Sequence, residues 1–297
     1  MRVNHMMLHN RVLRDITNNF SRVSKLHEQG SSGLKVRYPS DDAVVATRAS
    51  NIMSRMRDFE QYKRNANTVD TYLKGYDNVT QEMSAIATRL REVVVSGATG
   101  STTENDKKSI SAEIAKLKEQ LIQISNTNIG GNYIFGGADS KNPPVDENGN
   151  IVLNGIADKK LVTNLGGYKF EYSQSVYDVF TVDGNESIFS LMDNIVENLN
   201  ENNPEAYLNT VALEKVEKYE LQIQGTIANN GASQRFLEMS TNRFDDFKGF
   251  LEEYLSKEQD ADFLETFTNL MNQNSVLQAG LKTGAEMMMT SLVDFMS

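Results

Sequence analysis

Only four prolines, Pro39, Pro143, Pro144 and Pro204, interrupt the 297 residues. A proline inside a helix removes a donor and clashes with the preceding turn. The long stretches between these positions are therefore free to run as helix, and hydrophobic spacing decides whether they do.

That spacing favours helix at both ends. Met6, His9, Leu13, Ile16, Phe20, Val23, His27 and Gly30 recur by threes and fours, a heptad stripe ending at Gly30-Ser31-Ser32-Gly33. Ser40, Asp41 or Asp42 can cap a second helix. Its stripe runs through Ile52, Met56, Phe59, Ala66, Leu73, Tyr76, Met83, Ile86 and Leu90, and fades at Gly97-Ala98-Thr99-Gly100. From Asn51 to Val95 it would span roughly 65–70 Å at 1.5 Å per residue, a length found in rods rather than globules. Thr103 is placed to cap a third helix, striped by Ile110, Ile114, Leu117, Leu121 and Ile124.

Residues 132–187 lose the helical period. Asn148-Gly149, Asn154-Gly155, Gly166-Gly167 and Asp183-Gly184 separate β-prone runs at Ile151–Leu153, Tyr168–Tyr172 and Val176–Val182. This predicts an inserted antiparallel β region with tight turns. The stretch NIGGNYIFGG at 128–137 stands at its entrance: its first glycines are expected to stop the third helix, and Tyr133-Ile134-Phe135 to form a short strand. Helix resumes over Ile188–Asn200 and after Pro204, where Tyr207, Val211, Leu213 and Val216 are apolar, with Asn229-Asn230-Gly231 placed to interrupt or end it. In the last stretch Phe267, Leu270, Asn274, Leu277, Leu281, Gly284, Met288 and Phe295 repeat the heptad rhythm, with Asn274 as a polar register residue.

The expected fold is mainly α with an inserted antiparallel β region: long coiled-coil helices from both termini form an elongated rod, and a small β-rich outer domain is inserted in it. The boundaries are 1–42 and 255–297 for two halves of a terminal helical domain, 43–131 and 188–254 for the rod helices, and 132–187 for the β-rich domain.

Composition excludes several function classes. The net charge of −10 disfavours nucleic acid, whose phosphates need a basic surface. No run of about 18 apolar residues offers a membrane span. MRVNHMMLHNRVLRD lacks the apolar core of a cleaved signal. With no cysteine, disulfide and thiolate chemistry are out of reach, and a chain exported unfolded would not be trapped by oxidation. Residues 1–64 carry a net charge of +6 and residues 244–297 one of −7, so the two ends can attract each other within one chain or between copies.

Candidate chemistry is thin. His5 and His9 have the i, i+4 spacing of a helical zinc pair, but Met6 stands where a catalytic glutamate would be, and no metal or other cofactor is expected. Asp41-Asp42 suits a helix cap better than an acid–base pair. Gly131 to Gly136 matches a phosphate-loop frame in spacing only, because Gly137-Ala138 replaces the lysine and hydroxyl residue and helix precedes strand. Met287-Met288-Met289 on an amphipathic helix suits either a core or a partner groove. No nucleophile–base arrangement appears, so an enzyme is not expected.

Several segments resemble bacterial flagellins and their relatives: Met1-Arg2-Val3-Asn4-His5, SSGLKVRYPSDD at 31–42, EVVVSGATGSTTENDKKSI at 92–110 and IANNGASQRFLE at 227–238. Within that superfamily, Pro39-Ser40-Asp41-Asp42, ISNTNIGGNYIFGGADS at 124–140 and NSVLQAGLKTGAEMMMTSLVDFM at 274–296 are similar to the hook–filament junction branch. Ser32, Gly33, Pro39, Asp41, Asp42, Tyr133, Phe135 and Gly136 fall in these motifs as structural positions. The resemblance implies export without a cleaved signal by the flagellar type III apparatus and terminal helices that polymerise in the axial core. It also implies a place outside the cell at the hook–filament junction, after a cytoplasmic stage with an export chaperone. The implied partners are hook-associated protein 1, flagellin, that chaperone and further copies in a ring. Leu13, Ile16, Phe20, Val23, Phe267, Leu270, Leu277, Leu281, Met288, Leu292 and Phe295 are the expected interface residues. Lacking an intramolecular core, the terminal stripes would be covered only on assembly. A filament subunit is the nearest alternative, and a soluble coiled-coil adaptor or signalling protein is the alternative of another class.

Overall fold

The computed structural model describes residues 2–99, 103–152, 159–182, 184, 186–199 and 204–296; the side chains of residues 2–6, 8, 204, 205 and 287–296 are outside that description. Its long helices are α1 (Arg2–Ser32), α2 (Ala43–Gly97), α3 (Glu104–Ser125), α7 (Leu213–Gln259) and α8 (Phe263–Met296). Between α3 and α7 lie β1 (Asn128–Ile129), β2 (Asn132–Tyr133), β3 (Val162–Leu165), β4 (Tyr168–Glu171), α4 (Val176–Phe180), β5 (Thr181–Val182), β6 (Glu186–Ser187), α5 (Ile188–Leu199) and α6 (Pro204–Tyr207). The chain divides into two compact units, Met1–Arg57 with Asp246–Ser297, and Asp58–Asp245.

The helix starts follow from capping chemistry. Asp42 Oδ1 accepts from the Val44 and Val45 amides and opens α2. Thr103 and Asp106 form a reciprocal capping box at the start of α3. The α2 stripe is the one that periodicity predicts: Ile52, Ala66, Leu73, Tyr76, Met83, Ile86 and Leu90 are buried, and Met56 and Phe59 half-buried. In α3, Ile110, Ile114, Leu117 and Leu121 are buried and Ile124 is half-buried.

Among the described residues, the inserted region holds three separate antiparallel pairs, β1–β2, β3–β4 and β5–β6. Two of the hairpins share one turn device. Gly130-Gly131 and Gly166-Gly167 all have positive φ, and Asn128 Oδ1 and Asn164 Oδ1 accept from the Gly131 and Gly167 amides at 2.8 and 2.9 Å. Paired residues at positive φ match the right-handed strand twist. The glycine pair of NIGGNYIFGG therefore forms the β1–β2 turn. Helix α3 has already stopped at its C-cap Asn126. Tyr133 pairs with Asn128 in the short hairpin, whereas Ile134 and Phe135 leave the strand and enter the core.

Two further expectations are corrected. Val176–Val182 begins as helix α4, because Ser175 caps it at the Tyr177 amide and Val176, Val179 and Phe180 bury on one helical face. β-branched propensity yields there to capping and burial. Asn229-Asn230-Gly231 does not interrupt α7. The buried Asn230 amide donates to Leu73 O of α2 at 3.0 Å, which holds this stretch in helix despite the glycine. Before α7, a five-residue π-helix at Leu208–Ala212 resets the phase, so Leu208, Ala212 and Val216 are buried and Val211 faces out. Leu153, Asn154, Gly155 and Asp183 lie outside the described residues.

In the second unit, α2 and α7 run antiparallel, as Lys63–Asp245 and Arg91–Glu220 show. An aromatic chain forms its centre. Phe135 stands edge-on to both Tyr76 and Phe180, and Phe180 stacks on Phe189. The buried Tyr76 hydroxyl donates to Ile134 O and accepts from the Gln174 amide. Burial raises its pKa well above the ordinary phenol value, so it stays protonated and able to donate. Gly136 is bridged to Ser175, and a Cβ there would lie 2.7 Å from Asp139 O. Tyr76→Phe should cost about 1–3 kcal/mol, because it strands a buried amide and a carbonyl. Urea unfolding checks this, and an unchanged midpoint would contradict it.

Candidate assembly surface

In the first unit, helices from opposite ends of the chain pair. Gly30 lies against Thr266, Gln273 Nε2 donates to Asn19 Oδ1 at 3.0 Å, and Gly280 and Gly284 lie against Ile16. As α1 numbers fall, α8 numbers rise, so the helices are antiparallel. The seam on α1 is Val12, Ile16, Asn19, Val23, Leu26 and Gly30; on α8 it is Thr266, Leu270, Gln273, Leu277, Gly280 and Gly284. Both sets step by fours and threes. The Asn19–Gln273 layer fixes register, a role expected of Asn274. At Gly284, an added Cβ would stand 3.2 Å from Ile16 and 3.3 Å from Val12, so small residues let the two backbones close up.

The expected interface residues separate into two faces. Ile16, Val23, Leu270 and Leu277 are half-buried in this seam. Leu13 (45% exposed), Phe20 (64%), Phe267 (52%) and Leu281 (51%) are exposed on the face beside it. The expectation that the terminal stripes have no intramolecular cover is thus corrected: each seam covers the other, and the uncovered apolar face is displaced by one position. Phe263, Leu264 and Met271 extend it on α8. On each helix this face lies about a quarter turn from the seam, in the same rotational sense at roughly 100° per residue. Antiparallel pairing therefore places both faces on one side of the hairpin. Arg11, Arg14, Arg22 and Lys25 lie around the rest of α1. The side chains of Met288, Leu292 and Phe295 are outside the description.

The motif residues build the root of the hairpin. Gly33 takes φ +73°, a conformation open to glycine, and ends α1 after Ser32, whose Oγ accepts from Leu34 N. Pro39 follows Tyr38 in a turn closed by Asp41 N to Tyr38 O at 2.9 Å. Asp41 accepts from the Arg37 and Tyr38 amides and pairs with Lys25 at 2.9 Å. On the other strand of the chain, α7 ends at Gln259 and Asp262 caps α8 at the Leu264 and Glu265 amides. The two breaks are tied together. Lys35 N donates to Gln259 O, Ala261 N to Gly33 O, and the buried Gln259 side chain to Val36 O at 2.9 Å.

Sequence reasoning placed Gly284 on the stripe but missed Asn19, Gln259, Gln273 and Gly280. The small residues four apart were the available signal. Among the described residues, no cluster of His, Cys, Asp and Glu could hold a metal ion, and no helix is long and apolar enough to cross a membrane.

The chain as a whole is similar to known proteins. The family described as "Bacterial flagellin N-terminal helical region" matches residues 3–140. Flagellar hook-associated protein 3 of Escherichia coli is 26% identical over 208 residues, 66% of this chain and 66% of its own length. The protein of the same name in Salmonella typhimurium is 26% identical over 148 residues, 50% of this chain and 47% of its own length. The matches thus span between about half and two thirds of these relatives. Bacillus subtilis flagellin is 30% identical over 42% of each chain. Flagellar hook associated protein-3 of Legionella pneumophila shares the fold at TM-score 0.65 and 16% identity, over 70% of this chain and 98% of its own. FlgL of Xanthomonas campestris does so at TM-score 0.60 and 15% identity, over 69% and 99%. Residues 3–140 thus match the flagellin N-terminal family, and the fold is shared with flagellar hook-associated proteins. In sequence and in fold it is similar to hook-associated protein 3 (FlgL).

The root loop carries a pH dependence. The Lys25 hydrogen bond, then the Tyr38 and Arg37 amides, hold the Asp41 carboxyl below its ordinary pKa of 3.8. A depressed folded-state pKa means full stabilisation above the ordinary value and loss as pH falls through the lower one. Asp41→Asn should weaken hydrogen-exchange protection of the Arg37 and Tyr38 amides near neutrality. The parent chain should approach that variant only below 3.8. Equal protection in both near neutrality would contradict this role.

Proposed function

We propose that the chain is a structural subunit of the bacterial flagellum that joins hook to filament by polymerising through its terminal hairpin. The observation that carries this reading is the exposed two-helix apolar face of Leu13, Phe20, Phe267 and Leu281, with Phe263, Leu264 and Met271. One protein rarely leaves so continuous a stripe uncovered without a partner for it. Its residues come from both chain ends, so the face exists only after α1 and α8 have paired.

Similarity to hook-associated protein 3 supports a junction role, with hook-associated protein 1 on one side, flagellin on the other and further copies in a ring. Passage through the flagellar export apparatus with a chaperone, and a final place outside the cell at the hook–filament junction, belong to the same reading. The absence of cysteine agrees with export of an unfolded chain. Similarity to flagellins favours a filament subunit as the second reading. The two part on polymer length: a filament subunit grows long polymers alone, whereas a junction subunit stops after a limited assembly.

Deleting the gene should leave hooks on the cell and flagellin in the medium. Attached filaments of normal number in the deletion strain would overturn the junction reading. Phe267→Asp with Leu281→Asp should also abolish filament attachment, while circular dichroism of the purified variant stays that of the parent, because neither residue lies in the seam. Normal attachment by this double variant would remove the exposed face from the mechanism.

A further inference from the structure

The turn between the bridged residues Val145 and Ile151 holds a reactive pair, Asn148 followed by Gly149. An asparagine side-chain amide lies one ring closure away from the next backbone nitrogen. A glycine there has no Cβ and leaves the approach open. The Asn148 side chain is exposed at the edge of a groove of about 560 Å³ between α3 and α5. It has no hydrogen-bond partner among the described residues.

The side-chain amide is thus free to react, whereas the attacking nitrogen is held. Gly149 N donates to Asp146 O at 3.1 Å. Asp146 Oδ1 accepts from the Asn148 and Asn150 amides at 2.9 and 2.7 Å, and Oδ2 from the Asn150 side chain at 3.0 Å. The Asn150 side chain, then the backbone amides, hold the Asp146 carboxyl below its ordinary pKa of 3.8, so it is ionised and accepting near neutrality. Asp146 N to Asn150 O and Val152 N to Pro144 O close the turn further. Gly149 is also packed in. A Cβ on it would stand 2.8 Å from Phe189 Cβ and 2.9 Å from Lys118 Cε, and Lys118 is itself held by Asp193 at 2.7 Å. The Gly149 nitrogen must leave Asp146 O before it can attack.

We propose that Asn148 is a latent modification site, converted to aspartate or isoaspartate by its own backbone at a rate that the Asp146 turn sets. The Gly149 nitrogen attacks Asn148 Cγ. A C–N bond forms, the Cγ–Nδ2 bond breaks, and the side-chain nitrogen leaves as ammonia with the proton from Gly149 N. Water then opens the five-membered imide at either carbonyl. Opening at one gives aspartate; opening at the other gives isoaspartate and adds a methylene to the main chain of the turn. The sequence of steps consumes water, releases ammonia and involves no redox change. Either product adds a carboxylate to a groove edge that already carries Glu119, Glu147, Asp193 and Glu197. Conversion needs local opening, so the converted fraction records how often the turn has opened. The inference is independent of the junction reading.

The test ages the full chain in mildly alkaline buffer, folded and in urea, and follows the tryptic peptide between Lys141 and Lys159 by mass spectrometry. Fragmentation separates Asn148 from Asn154, the other Asn-Gly of that peptide, and an isoaspartate-specific carboxyl methyltransferase labels the isoaspartate product. In urea both asparagines should convert at comparable rates. In the folded chain Asn148 should convert slower by about tenfold or more, because the turn must open first. Asp146→Ala should recover about tenfold of that rate, since a charged acceptor is lost, while Asp146→Asn, which keeps one side-chain oxygen, should stay nearer the parent. Circular dichroism confirms that both variants remain folded. Equal Asn148 rates in the folded parent and in urea overturn the proposal, as does the absence of conversion in urea. Equal rates in the parent and a folded Asp146→Ala chain overturn the role of the turn. Should Asp146→Ala unfold, the parent's folded-to-urea ratio and Asp146→Asn decide the matter.

Discussion

The clasp between the two chain breaks underlies the whole first unit. Gly33 to Val36 meets Gln259 to Ala261, and the buried Gln259 amide reaches Val36 O. Helix ends leave backbone donors and acceptors unpaired, and burying them unpaired is costly. Here each break supplies the partners that the other lacks. The meeting of these breaks fixes two registers at once: α1 against α8, and α2 against α7 at Arg48–Glu258. A shift of one residue at the clasp would displace every seam residue of both pairs.

Register then decides which hydrophobic residues remain available. The α1–α8 seam is weakly apolar. It contains Asn19, Gln273 and three glycines, and its side chains are mostly half-buried. Such a seam specifies partner and orientation more than it stabilises. Leu13, Phe20, Phe267 and Leu281, which are larger and more apolar, stand outside it. A chain that folded only for its own stability would place them inside. The arrangement makes physical sense when further burial comes from neighbouring molecules, as in the proposed junction role.

Much of this was legible in advance because helix periodicity and capping are local. The α2 stripe, the α3 capping box, the Asp42 cap and the stop at Gly33 all appear where spacing and residue type put them. Errors arose where a distant residue intervened. Asn229-Asn230-Gly231 looks like a breaker until Asn230 is seen against Leu73 O. Val176–Val182 looks like a strand until Phe180 is seen packed on the distant Phe135, although the adjacent Ser175 cap was a local sign of helix. The terminal stripe was right at Ile16, Val23, Leu270 and Leu277 and one position off at Leu13, Phe20, Phe267 and Leu281, where the partner helix takes the smaller or polar neighbours Val12, Asn19, Thr266 and Gly280 instead.

The amino-acid sequence by itself determined the helical character of both ends, the Gly166-Gly167 turn and the resemblance to flagellins. These depend on proline placement, three-four spacing, positive-φ glycines and short motifs, each of which acts within a few residues. Tertiary structure alone decided that α1 seals α8, that Asn19 meets Gln273, and that Leu13 and Phe267 face outward while Ile16 and Leu270 face in. The reason is distance along the chain. A residue pair some 250 positions apart has no local signature, and a helix face acquires its role only when another surface covers it or leaves it open.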